Sequence, residues 1–160
     1  MKHRVSDDQL SALQFERVWV REATFLDVEG EHAPVPPQDI ADVPIHLEVK
    51  VNYTAQGDRA YVMLRASLDP PTERRLFLKL SAAVEGAFLL RGPADFPRLQ
   101  GFATTQAPVL LVPYLRQVIT MLTAQSRVGA MVLPPLNMVE ITKAMRSPAT
   151  GERVESPVKA

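Results

Sequence analysis

Between Val43 and Leu90 the chain alternates apolar and polar residues in three successive runs. This period of two restricts the fold more than any other feature, because a strand turns successive side chains to opposite faces of a sheet. In Val43 to Gln56, the residues Ile45, Leu47, Val49, Val51 and Tyr53 share one face, and His46, Glu48, Lys50 and Asn52 share the other. Gly57-Asp58 then supplies turn chemistry. Arg59 to Leu68 repeats the pattern with Val62, Leu64, Ala66 and Leu68, and Pro70-Pro71 closes it. Leu76 to Leu90 repeats it again with Leu76, Leu78, Leu80, Ala82, Val84, Phe88 and Leu90 on one parity. Short turns between such runs imply antiparallel neighbours.

An earlier run, Phe15 to Val28, is rich in β-branched and aromatic residues. Strict alternation places Val18, Val20, Thr24, Leu26 and Val28 on one face, with Phe15, Trp19, Ala23 and Phe25 on the other, and core packing is expected for Trp19 and Phe25. Glu29 to Asp42 follows as a loop, in which Pro34, Pro36 and Pro37 forbid regular pairing and favour a rigid crossover over a proline-rich ligand. Arg91 to Leu99 holds Gly92, Pro93 and Pro97 and reads as a loop or a broken helical turn.

From about Pro108 the period changes to 3.6. Leu111, Leu115, Val118, Ile119, Leu122 and Ser126 fall on one helical stripe, with Arg116, Gln117, Thr120, Thr123 and Arg127 opposite. Pro108 suits a first turn, whereas Pro113 predicts a kink or a restart. Val128 to Leu136 is an apolar connector ending in Pro134-Pro135. Asn137 with Glu140 three residues on resembles a capping box for a short helix to about Arg146. The expected architecture is α+β: a four-stranded antiparallel sheet, a long helix in the C-terminal half and a short terminal helix. Residues 1–14 are expected to be a flexible lead-in, 15–146 the folded domain, and 147–160 a disordered tail.

Signs of chemistry are sparse. His3, His32 and His46 lie in unrelated contexts, and Glu29-Gly-Glu31-His32 lacks a second histidine at ligand spacing. Asp7-Asp8 reads as a helix N-terminal pair. No glycine cluster cradles a phosphate and no serine sits in a nucleophile elbow. An enzyme, a metal site and a cofactor are therefore not expected. With 18 basic and 18 acidic residues, the net charge is zero and no field draws in nucleic acid. The basic start is followed by no apolar run, no stretch is long enough to insert into a membrane, and cysteine is absent, so a cytoplasmic location is expected. What remains is more apolar patterning than one covered sheet face needs, and exposed apolar area on a folded domain marks an interface.

The segment APVLLVPYLRQVITMLTAQSRVGAMVLPPLNMVEI resembles the C-terminal half of the SecB-type protein-export chaperones. The matching residues are Pro113-Tyr114 followed by Arg116 in a long helix, then Leu133-Pro134-Pro135-Leu136-Asn137-Met138. Strand order and crossover extend the likeness from about Phe15 to Met145. The resemblance implies ATP-independent holding of unfolded preproteins for Sec-dependent export, without a cofactor. It implies a homotetramer built as a dimer of dimers, with Leu115, Val118, Ile119 and Leu122 of the long helix in the oligomer interface. By position it assigns client binding to Ile40, Leu47, Val49, Leu136, Met138 and Ile141. It assigns docking of the translocase motor ATPase to Glu22 and Leu78, but Leu26 and Leu80 stand where or near where acids are expected, which leaves that docking open. Related chaperones serve the antitoxin of a toxin–antitoxin pair, a second expectation for this chain. A small-ligand-binding α+β domain is a third, and it requires an enclosed pocket with convergent polar groups.

Overall fold

The computed structural model describes residues 12–27, 45–68, 78–126, 129–146 and 154–155. The three alternating runs form the antiparallel strands β2 (Ile45–Tyr53), β3 (Arg59–Leu68) and β4 (Leu78–Leu90). Their faces follow the period of two: Ile45, Leu47, Ala60, Val62, Leu64, Ala66, Leu68, Leu80, Ala82, Val84, Phe88 and Leu90 are all buried in one cluster. Gly57, at φ +67°, turns β2 into β3 in a conformation that side chains resist. The Thr54 hydroxyl braces this turn, donating to Asp58 Oδ1 at 2.7 Å and accepting from the Arg59 N–H at 3.2 Å.

β1 (Leu13–Asp27) pairs with β4, and β5 (Val154–Glu155) pairs with β2, giving the order β1-β4-β3-β2-β5. β1 corrects the alternation expected for it. Its register against β4 shifts between Phe15 and Arg17 and again between Val20 and Glu22. Each bulge spends one extra residue on β1 and flips the parity of the residues beyond it. Leu13, Phe15, Val18, Val20, Ala23 and Phe25 consequently stand opposite the core-facing residues of β4, while Arg17, Trp19, Glu22, Thr24 and Leu26 stand opposite the others. Trp19 thus lies outside the core. It meets Tyr61 edge-on at 6.3 Å, and the Arg17 guanidinium lies 5.2 Å from its ring centre.

A helix appears where a loop or a broken turn is expected: α1 (Phe96–Thr105) precedes α2 (Ala107–Thr123) with Gln106 between them. Pro97 does not break it. The proline occupies the first turn, where no N–H is needed, and Asp95 Oδ1 accepts from the Arg98 N–H at 3.1 Å. Hydrogen bonds from Gln106 N–H to Phe102 O (2.9 Å) and from Leu110 N–H to Gln106 O (3.1 Å) carry the two helices into one bent rod. Pro113 lies inside α2 on its exposed side and leaves the Val109 carbonyl without its helical donor.

α2 lies across the sheet. Ala107, Pro108, Leu111, Val112, Leu115, Ile119 and Thr123 are buried beneath it. The approach is closest at Gly86, where an added Cβ would stand 2.8 Å from Leu111 Cδ2, 3.0 Å from Phe88 and 3.1 Å from Phe15. Phe15 and Phe88 stack at 4.9 Å beside it.

The more polar side of α2 is partly covered by the connector. Thr123 is fully buried: its hydroxyl donates to Ile119 O at 2.9 Å and accepts from the Met131 N–H at 2.7 Å. Thr120 donates to Met131 O at 3.0 Å, and Arg116 Nη2 donates to Pro134 O at 3.2 Å. These three residues, about one per turn, hold the connector in an extended path. α3 (Met138–Arg146) follows, with Asn137 Oδ1 accepting from the Glu140 N–H at 3.4 Å as the capping pattern predicts, and it packs near α1.

Two substitutions test this packing by urea unfolding. Gly86→Ala is expected to lower stability by about 1–3 kcal/mol, since the new methyl meets three side chains that are themselves packed. Thr123→Val keeps the shape but strands the Met131 N–H, so a loss of about 1–3 kcal/mol is expected with an unchanged urea m-value.

Candidate functional site

An extended connector alternates its side chains as a strand does. Met131 and Leu133 turn inward and are buried, whereas Val132 between them is 63% exposed. With Ile45 of β2, Ala66 and Leu68 of β3 and Ile119 of α2, they line a small, shallow recess. Every lining residue is apolar. α3 continues the apolar surface: Ile141 is buried, Leu136 and Met138 are half-buried against the core, and Val139 is 60% exposed.

Of the residues expected to bind client, Leu47 and Ile141 are buried in the same cluster as the recess, and Val49, Leu136 and Met138 pack on it from the outside. Ile40 lies outside the described residues. Ile45, Ala66, Leu68, Met131, Val132, Leu133 and Val139 were not singled out. The parity of Leu47 pointed to Ile45, and the apolar run from Val128 to Leu136 pointed to the connector, but neither signal says which side chains stay uncovered.

The helical residues assigned to assembly separate. Leu115 and Ile119 are fully buried under the protomer's own sheet and offer no surface to a second copy; Val118 and Leu122 are half-buried on the same core. The outward side of α2 instead exposes Leu110 (44%), Tyr114 (38%) and Met121 (68%). The stripe with the clearest apolar period was the one used inside.

The sheet face away from α2 carries paired charges. Glu22 accepts from Arg65 Nη2 at 2.7 Å, and the same guanidinium reaches Glu48 through Nη1 at 3.2 Å. Lys50 lies 2.9 Å from Glu48, Arg21 lies 3.4 Å from Glu85, and Arg59 holds Glu16 through two hydrogen bonds of 2.9 and 3.1 Å. The Lys50 hydrogen bond foremost, aided by Arg65, holds the Glu48 carboxyl below its ordinary range. Such exposed pairs add little stability, yet they cancel the negative charge that a basic partner would read. Leu80 is buried in the core, and Leu78 opens β4 with its side chain outside the described residues. On the core side, burial pushes the Tyr53 hydroxyl up, and its ring meets Phe96 of α1 at 4.9 Å.

No family model matches the sequence. The protein-export protein SecB of Paramagnetospirillum magneticum is 24% identical over 139 residues, 86% of this chain and 87% of that protein. The protein of the same name from Alcanivorax borkumensis is 24% identical over 149 residues, 92% of this chain and 94% of that protein. Among solved structures, a SecB-like chaperone of Mycobacterium tuberculosis, in complex with a peptide from an antitoxin, superposes with a TM-score of 0.60 at 16% identity. That match covers 78% of this chain and 90% of the other, and it carries the fold. Two relatives along most of their length, one shared fold and the ordered Pro113 to Met138 motif agree: this chain is similar to the SecB proteins over most of its length and has a SecB-like fold.

Proposed function

We propose that the chain is an ATP-independent holdase that binds non-native polypeptides along the recess, the connector and α3. The observation that carries this reading is the wholly apolar lining of a recess with Val132 exposed at its rim, together with Val139 exposed on α3. Burial of apolar client surface supplies roughly 25 cal/mol per Å², offset by the ordering of the captured chain. Without fixed polar contacts, affinity follows apolar content and extended shape rather than sequence. Among the described residues, this recess offers no polar side chain to orient a small ligand.

Clients that are preproteins for Sec-dependent export, held in the cytoplasm in this reading, are in keeping with the relatives' name of protein-export protein. A chaperone dedicated to one antitoxin is the second reading. The paired carboxylates of the sheet face favour it, because a partner docking on acids finds Glu16, Glu22, Glu48 and Glu85 already engaged. Assembly into a homotetramer, a dimer of dimers, uses in this reading the outward row Leu110, Tyr114 and Met121, together with the half-buried Val118 and Leu122.

Light scattering of a slowly folding client tests the function. Suppression of aggregation without nucleotide is expected, and Val132→Asp with Val139→Asp should weaken it several-fold. Because both side chains are exposed, stability should change by less than about 1 kcal/mol; unimpaired suppression by the double variant would place binding elsewhere. Mass measurement in solution should give about 71 kDa for four chains of 17.7 kDa, with Met121→Asp shifting it to a smaller species.

A further inference from the structure

β2 has two edges of different character. Toward β3 it pairs along its whole length, from Ile45 opposite Leu68 to Tyr53 opposite Ala60. Toward the outside, among the described residues, it pairs only through His46 with Glu155 and Leu47 with Val154. An edge strand is a template for further pairing, and an extended peptide adds to it through main-chain hydrogen bonds that ignore sequence. The occupied stretch of this edge is next to the recess, since Ile45 lines the recess and Leu47 shares its buried face. What sits there is a piece of this chain, in the antiparallel arrangement that an added strand takes.

The occupant is weak by construction. Two paired residues make few ladder bonds, and the sequence around them, Gly151-Glu-Arg-Val-Glu-Ser-Pro157, holds one apolar side chain among charges. Its advantage is the tether, because a covalently attached segment acts at an effective concentration on the order of millimolar. A free polypeptide therefore displaces it only by adding apolar contacts in the adjoining recess. We propose that Val154–Glu155 is a resident competitor for the β2 edge, and that an extended segment of a non-native client takes that edge, antiparallel, by displacing it. The device sets a threshold: polar extended chains fail to gain entry, and apolar ones succeed. This rests on the holdase reading above.

The test uses the full chain with Val154→Pro and Glu155→Pro, which removes the N–H of both paired residues, including the one that points toward β2, and leaves the core residues untouched. The probe is dye-labelled, reduced and carboxymethylated α-lactalbumin, read by fluorescence anisotropy. The variant is expected to bind it roughly tenfold more tightly, the scale on which loss of a weak tethered competitor acts. A free peptide of residues 148–160 should compete the probe from the variant. Equal or weaker binding by the variant overturns the proposal. Hydrogen exchange across residues 45–48 reads the occupant without any client: it should quicken in the variant, and unchanged exchange overturns the proposal as well. Failure of the holdase reading looks different, for then neither chain binds the probe while exchange still quickens.

Discussion

The seat of α2 on the sheet at Gly86 is the contact on which the other parts depend. A missing side chain at that point lets Leu111 reach the strand and sets the height of the helix above β4. From that height, Leu115 and Ile119 fill the space over β3 and β4, and the aromatic group of Phe15, Phe88 and Phe102 closes the start of the helix. The row Arg116, Thr120 and Thr123 is then turned toward the connector. Because Thr120 and Thr123 hold both the carbonyl and the N–H of Met131, the connector is fixed in extended form. Its alternation of inward Met131 and Leu133 with outward Val132 makes the recess wall. The apolar surface proposed for clients is thus built on hydrogen bonds between a helix and a strand-like segment.

The two faces of the sheet serve opposite ends. The face under α2 is apolar and, among the described residues, meets only Val154–Glu155 at its β2 edge. The other is a lattice of ion pairs in which Arg65 serves Glu22 and Glu48 together. In a protein with equal numbers of acids and bases, this arrangement leaves a face without a strong field.

Much of the scaffold was legible because periodicity is local. The faces of β2, β3 and β4, the turn at Gly57, the 3.6 period of α2 and the capping of α3 by Asn137 all derive from neighbours within a few residues. β1 departs from its pattern because a bulge is decided by the partner strand: nothing in Phe15 to Val28 marks where β4 will force an extra residue. α1 was hidden because Pro97 breaks a helix interior but suits its first turn, and only Asp95 acting as cap tells the two apart.

The candidate site was legible in kind and not in detail. An excess of apolar residues, and the ordered Pro113-Tyr114-Arg116 and Leu133 to Met138 stretches, carried by themselves the resemblance to a SecB-like scaffold and the expectation of apolar surface. Which apolar residues remain outside was decided by tertiary structure. Leu115 and Val139 are both apolar residues of helices, yet one is fully buried and the other is 60% exposed. The same holds for Thr123, polar by composition and buried by the arrival of Met131, for Glu22, whose charge is answered by Arg65 from 43 residues away, and for the β2 edge, met by Val154. Sequence pattern fixes the direction in which a side chain points along its own element, whereas its cover, its partner and its charge balance come from chain segments that only folding brings near.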